Sequence, residues 1–326
     1  MSYLDLFYSG RLKEIAEGPI KENESAALYD VCDGQEALLS AVTAEKIGKK
    51  VLFVTSSPRR AERMAGEIAA YLGEKCRCLP DREVLFVDGV GGSENAEQRL
   101  ETLRALAENR VDVLVASAGS LMLPLGNMRE FREKSISFSR GMPMRQEDLG
   151  EKLRRAGYER RSMVEGPMQY AMRGDIADIW PAGEKRAIRV EFFGDEFDLV
   201  RLFDPLTQRS VENLEEEARI YPARVFLWEQ GQSARTKDMR RAVRDQIARQ
   251  DTASLEAGGL RSESDRLLET ESSGHYPGDL MKWAGFIGLE RTGVWSWFDK
   301  PPVVFLDDPE HVSDPGTTGR RASLPT

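Results

Sequence analysis

The chain has 326 residues, 40% of them hydrophobic and 31% charged, with a formal net charge of −9. This length exceeds one typical domain and the composition suits a globular protein. The acidity excludes an unspecific electrostatic grip on nucleic acid over the whole surface, though local basic patches remain compatible with it.

In chain order, Val51 to Thr55 (VLFVT) is a short apolar run of the kind that forms a buried strand. Ser57 follows as an N-cap and Pro58 as a first helical residue, with Ala61, Met64, Ala65, Ile68 and Leu72 at helical spacing and Gly73 as the stop. Cys76 and Cys78 alternate as on a strand, Val84 to Val87 is a second apolar run, and Ala96, Leu100, Leu103 and Ala107 share one helical face. Val111 to Ala116 reads as a further strand. The alternation predicts a parallel sheet covered by helices.

The rhythm breaks near Leu123 to Gly126, and from Lys134 the pattern changes. Ser135 to Ser139 alternates with period two, and Gln146 to Ala156 is a helix with Leu149, Leu153 and Ala156 on one face, ended by Gly157. Strand-like pieces follow at Gln169 to Ile179, Ala187 to Phe193 and Asp198 to Phe203, with turns at Pro181-Ala-Gly183 and Gly194-Asp195. After Tyr221-Pro222 the chain turns helical around Met239, Val243 and Ile247, then through a weaker candidate from Asp251 to Thr270 and a loop from Ser272 to Gly278. Val303 to Leu306 is another buried-strand run closed by Asp307-Asp308-Pro309, and Ser313 to Thr326 has the composition of a disordered tail.

Several chemistries find no footing. Cys32, Cys76 and Cys78 are too few for a disulfide framework, and His275 and His311 lie far from them, so no metal and no cofactor is expected. No apolar run reaches the roughly 18–20 residues of a membrane span, and Met1 to Leu12 lacks a signal-peptide pattern, which leads to the expectation of a cytoplasmic protein without membrane contact. Gly48-Lys49-Lys50 precedes a strand instead of following one, and Gly89-Val-Gly91-Gly92 lacks the third glycine of a dinucleotide fingerprint. The seven basic and four acidic residues between Arg140 and Arg161 read as a solvated helix face.

The stretch Gly157 to Asp204, with its elements RGDIADIWPAG, IRVEFFGDE and FDPLTQRS, resembles the domain shared by the excision-repair protein UvrB and the bacterial transcription-repair coupling factor, and LDDP at Leu306 to Pro309 is a second landmark. The resemblance implies a degenerate RecA-like (P-loop NTPase-like) α/β parallel-sheet domain with an inserted α+β domain. It implies the division 1–132 first part of the RecA-like domain, 133–220 α+β insert, 221–312 returning part, and 313–326 tail.

Within that family the nucleotide site discriminates. A P-loop needs glycines, a lysine for the phosphates and Ser or Thr for Mg²⁺. The corresponding Tyr29-Asp-Val-Cys-Asp-Gly-Gln-Glu-Ala37 keeps Gly34 but has Gln35 or Glu36 in place of lysine, and Asp30, Asp33 and Glu36 would repel a triphosphate. Two like charges about 4 Å apart near a surface cost on the order of 4 kcal/mol. Gly34, Gln35, Glu36, Asp307 and Asp308 therefore read as a degenerate nucleotide site, with the two aspartates capping the turn after their strand. A tyrosine-rich DNA-clamping hairpin like that of UvrB is also missing between Val87 and Ser93.

The resemblance implies a UvrA-binding face carried by Arg160, Arg173, Arg189, Glu191 and Phe193, with Ala171 standing where UvrB has an additional arginine. Strand alternation puts Arg189, Glu191 and Phe193 on one side and Ile188, Val190 and Phe192 on the other. The function so implied is that of the N-terminal module of the coupling factor: it binds UvrA and recruits nucleotide excision repair to stalled RNA polymerase, with no ATP hydrolysis by this chain. RNA polymerase and DNA would be met only through regions that this chain does not contain. A UvrB-like damaged-DNA-binding ATPase and a free-standing UvrA-binding competitor remain as alternatives.

Overall fold

The computed structural model describes residues 3–22, 25–29, 31, 34–81, 93–181, 184, 186–214, 217–226, 241, 245, 265 and 291–309. Outside them lie Asp30, Cys32, Asp33, the expected strand at Val84 to Val87, the expected Gly89 to Gly92 loop, Met239, Val243 and Ile247 of the expected helix there, all but Asp265 of Asp251 to Thr270, the expected loop Ser272 to Gly278, both histidines and the tail.

The chain forms two compact units. The first contains α1 (Gly10–Glu22), α2 (Gln35–Glu45), β1 (Val51–Thr55), α3 (Pro58–Leu72), β2 (Cys76–Leu79), α4 (Ser93–Ala107), β3 (Val113–Ser117) and α5 (Ala118–Met122). The second contains α6 (Met128–Glu133), β4 (Ile136–Phe138), α7 (Gln146–Arg155), β5 (Glu159–Arg160), β6 (Gln169–Arg173), β7 (Ile176–Ile179), β8 (Ala187–Phe193), β9 (Glu196–Asp204), β10 (Arg209–Asn213) and β11 (Ala218–Ile220). A last strand, β12 (Val303–Leu306), returns to the first unit.

The first unit is the expected α/β layer structure. Its sheet runs β12-β1-β3-β2 with every pairing parallel. β1 and β3 are buried at all five positions, as strands covered on both faces must be, which is why their sequences are continuous apolar runs. Ser57 caps α3 by accepting from the Arg60 N–H, and Ala61, Met64, Ile68 and Leu72 carry the helix onto Val51, Phe53, Val113 and Val115. Each such large apolar side chain contributes roughly 1.5–3 kcal/mol on burial. β3 begins two residues later than the apolar run: Asp112 takes part in loop hydrogen bonds, giving its carbonyl to Val51 N (2.9 Å) and its N–H to Lys75 O (2.8 Å).

The second unit is α+β. Its main sheet runs β10-β9-β8-β7-β6-β5, antiparallel except for β5 on β6, and β4 pairs with β11 separately. The stretch read as one strand-like piece from Gln169 to Ile179 is a hairpin, because Gly174 adopts φ 55° and reverses the chain between β6 and β7. Leu149 and Leu153 of α7 and its C-cap Ala156 pack with Phe138 against Tyr170, Ile179, Ile188, Val190 and Phe192. Tyr158 sends its hydroxyl to the Tyr221 carbonyl (2.8 Å), and Phe131 stacks on the Tyr221 ring at 5.6 Å. Gly126 sits where a Cβ would lie 2.3 Å from the Val225 carbonyl oxygen, a contact no side chain permits.

Candidate functional site

Two constellations collect the residues singled out by sequence. The first lies in the parallel-sheet unit. Gly34 has φ 85° and leads into α2, a backbone state that favours glycine. Gln35 and Glu36 form the first turn of that helix, and Asp307 directly follows the last residue of β12. Between them stands Arg60 of α3, absent from the sequence reading. Its Nη2 binds Glu36 Oε2 at 2.7 Å, its Nε binds Asp307 Oδ2 at 2.7 Å, and its Nη2 also reaches Asp307 Oδ1 at 3.4 Å. The hydrogen bond to Asp307 is the main reason the guanidinium is held above its ordinary pKa, against the lowering effect of burial. Asp307 thus engages α3 through both carboxylate oxygens, a different role from the turn cap expected for it. Asp308 follows with φ 55°.

The second constellation is the outer face of the six-stranded sheet, away from α7. Side-chain alternation along β8 is as expected: Ile188, Val190 and Phe192 are buried, Arg189 and Glu191 are half-buried and Phe193 is exposed. Pairing sets Asp178 of β7 directly opposite Arg189, and Ile176 opposite both Arg173 and Glu191. Asp178 is completely buried. Its Oδ1 accepts from Arg189 Nε at 2.6 Å, and its Oδ2 accepts from Arg189 Nη2 at 2.9 Å and from Arg173 Nη2 at 2.6 Å.

The two arginines differ in what remains outside. The Arg189 side chain is 13% exposed and that of Arg173 is 47% exposed. Arg189 lies over the Phe203 ring, with 4.7 Å from guanidinium to centroid, and donates to the Gln208 carbonyl at 3.3 Å. Phe203 belongs to a small apolar cluster with Val164, Ala171 and Ala187 at that end of the outer face. Farther along, Glu191 pairs with Arg201 at 3.3 Å, and Phe193 is 76% exposed at the tip of the β8–β9 hairpin.

The structure therefore brings Arg173, Arg189, Glu191 and Phe193 onto one face. Arg160 does not join them. It is exposed on the edge strand β5, in register with Tyr170, whose ring lies in the core on the α7 side. Sequence reasoning missed Asp178 and Arg201. The signal for Asp178 was present: in Ile176-Ala-Asp-Ile179 an acidic residue interrupts an apolar strand, and a buried carboxylate requires cationic partners. The FDPLTQ element is a hairpin turn, in which Asp204 accepts from Leu206 N (2.9 Å) and Thr207 Oγ1 (3.0 Å) and Gln208 takes φ 58°. Those bonds, led by the Leu206 N–H, lower the Asp204 pKa. The basic stretch from Arg140 to Arg161 contains the local surface pairs Arg145–Glu147, Arg155–Glu151 and Arg161–Glu159. Among the described residues no cluster of His, Cys, Asp and Glu could hold a metal, and no helix is long and apolar enough to cross a membrane.

Comparison with known proteins bears on both constellations. Residues 136–226 match the family described as the UvrB interaction domain, a span that runs from β4 to just past β11 and contains the whole outer face. The chain is 30% identical to UvrABC system protein B of Synechococcus sp. (strain JA-2-3B'a(2-13)), in an alignment covering 95% of this chain and 47% of that protein. It is 31% identical to the transcription-repair-coupling factor of Myxococcus xanthus over 79% of this chain and 22% of that protein. To the coupling factor of Bacillus subtilis it is 24% identical, over 71% of this chain and 20% of that protein. The chain thus spans about half the length of the UvrB protein it matches and about a fifth of the coupling factors.

Proposed function

For a chain that carries a UvrB interaction domain and is similar over most of its length to UvrB and to transcription-repair-coupling factors, we propose the role of a UvrA-docking module in nucleotide excision repair, of the coupling-factor kind, without ATP hydrolysis of its own. The observation that carries the reading is the outer face of β6, β7 and β8. There an exposed aromatic, Phe193, and a tethered arginine, Arg173, flank the Glu191–Arg201 pair. Arginine and aromatic side chains are the commonest anchors of protein interfaces, because they combine large contact area with directional hydrogen bonding. Arg189 supports this face from beneath, and Arg160 lies beyond its rim.

The choice between a coupling-factor module and a UvrB-like ATPase rests on the other constellation. Identity to the two kinds of relative is about equal and does not separate them. What favours the non-hydrolysing reading is chemistry: Glu36 stands in the first turn of α2, where a P-loop would have its lysine nearby, and Arg60 fills the gap between Glu36 and Asp307 with an internal cation.

Titration calorimetry of the chain with purified UvrA tests the proposal, with circular dichroism to verify folding. The expected result is micromolar or tighter binding, weakened by about 2 kcal/mol or more in Arg173→Ala/Phe193→Ala, the scale of an interface hot spot. Arg189→Ala is a poorer probe, since it removes the better partner of a buried carboxylate and confounds binding with stability. A folded wild-type chain that does not bind UvrA refutes the docking role. Saturable Mg²⁺-ATP binding refutes the non-hydrolysing one.

A further inference from the structure

Asp178 contributes nothing to the exposed surface, yet it holds two arginines. A buried carboxylate needs a cationic, hydrogen-bonded partner, and Arg189 already supplies one. Arg189 grips both carboxylate oxygens, rests on Phe203 and is itself almost covered. The demands of folding are met by that pair. Arg173 is an addition: it takes a single further bond, Nη2 to Oδ2 at 2.6 Å, and leaves nearly half of its side chain in solvent.

From this geometry we infer that Asp178 is a positioning residue for the docking face, which holds Arg173 with its outward N–H edge ready for a carboxylate on the partner. The inference rests on the reading that this face binds UvrA. An arginine has five N–H donors in one rigid plane. With one of them anchored on Asp178, the plane's range of positions is narrowed and the others can meet an incoming carboxylate in the paired geometry arginine favours. The anchoring also removes rotamer freedom before the encounter, so less is lost on binding. The three charged groups sum to +1, which keeps the cluster cationic toward an acidic partner.

Positioning and simple charge have opposite consequences at Asp178. Asp178→Asn is nearly isosteric, but it removes the anchoring charge and makes the face more positive by one. If charge alone matters, an acidic partner associates as fast or faster and binds as tightly or more tightly. If positioning matters, binding weakens through faster dissociation despite the added charge, roughly five- to tenfold on the scale of one immobilised side chain.

The experiment is surface-plasmon kinetics of UvrA on the full chain as wild type, Arg173→Ala, Asp178→Asn and the double variant, with thermal unfolding of each. Weaker binding for Asp178→Asn in the wild-type background, and none of that effect in the Arg173→Ala background, is the expected result. Unchanged or tighter binding by folded Asp178→Asn overturns the inference and leaves the docking role standing. An equal loss in both backgrounds also overturns it, because Asp178 then acts on structure in general. A folded wild type that fails to bind UvrA removes the docking role itself. Should Asp178→Asn not fold, Arg173→Lys decides, since lysine keeps the charge but not the planar fork: a loss close to that of Arg173→Ala supports positioning, and wild-type affinity overturns it.

Discussion

Replacing Arg60 by methionine preserves most of the side chain's length and apolar stem while removing its charge and donors. Glu36 and Asp307 would then face each other across the space the guanidinium occupied, each having lost a bond of 2.7 Å. Hydrogen bonds to charged groups contribute about 1.5–3 kcal/mol each. The side chains concerned are 22%, 25% and 13% exposed, so solvent screens part of that, and repulsion between the two carboxylates adds some back. A net loss of about 2–3 kcal/mol follows, equivalent to roughly 4–12 °C in Tm for a unit of this size. Differential scanning calorimetry reads it in the transition of the parallel-sheet unit. Adding Glu36→Gln and Asp307→Asn to Arg60→Met should restore most of the stability, because removing every charge of a cluster costs far less than removing its cation alone. A loss below about 0.5 kcal/mol for Arg60→Met, or no recovery in the triple variant, would show the cluster to be an ordinary screened surface pair and would refute the reasoning.

Two pH-linked predictions follow from single groups. Burial is the main cause that pushes the Cys76 thiol up to about 12 and that of Cys78 to about 11. Because folding raises both, their contribution to stability is complete below the unfolded thiol pKa near 8.5 and disappears as pH climbs through those values. Mass-spectrometric mapping of alkylation at pH 8 should find both thiols protected in the native chain and labelled in urea; rapid native labelling of Cys76 would contradict its placement. Asp204 behaves in the opposite sense. Its pKa is lowered, so the β9–β10 turn keeps its support above the unfolded value near 4 and loses it as pH falls through the lower folded value. Asp204→Asn should loosen the hairpin at neutral pH and flatten this acid dependence, seen as faster amide exchange at Leu206; unchanged exchange there would sink the assignment.

Much of the fold was legible in the amino-acid sequence because its determinants are local. The continuous apolar run at Val51 to Thr55 becomes a buried parallel strand, Ser57 and Pro58 start a helix that Gly73 ends, and the alternation in Ile188 to Phe193 assigns each residue of β8 to its face. The run at Val303 to Leu306 is also a parallel strand, but it ends the sheet order with Val304 and Leu306 exposed and is not the buried strand expected, because a run's position in the sheet is set by its neighbours. The motif similarity fell within residues 136–226, which match the UvrB interaction domain, for the same reason, since short elements such as IRVEFF and FDPLTQ encode a strand and its turn. Three things were decided only by tertiary structure. The β5–β6 register carries Arg160 away from the other arginines. The placement of α3 beside α2 and over the parallel sheet sets Arg60 against residues 24 and 247 positions distant. And the pairing of β7 with β8 places Asp178 opposite Arg189, so that an arginine read as a surface contact is half-buried against a carboxylate. Each depends on which strands and helices become neighbours, and long-range pairing of charged groups leaves no periodic trace in the sequence from which it could be read.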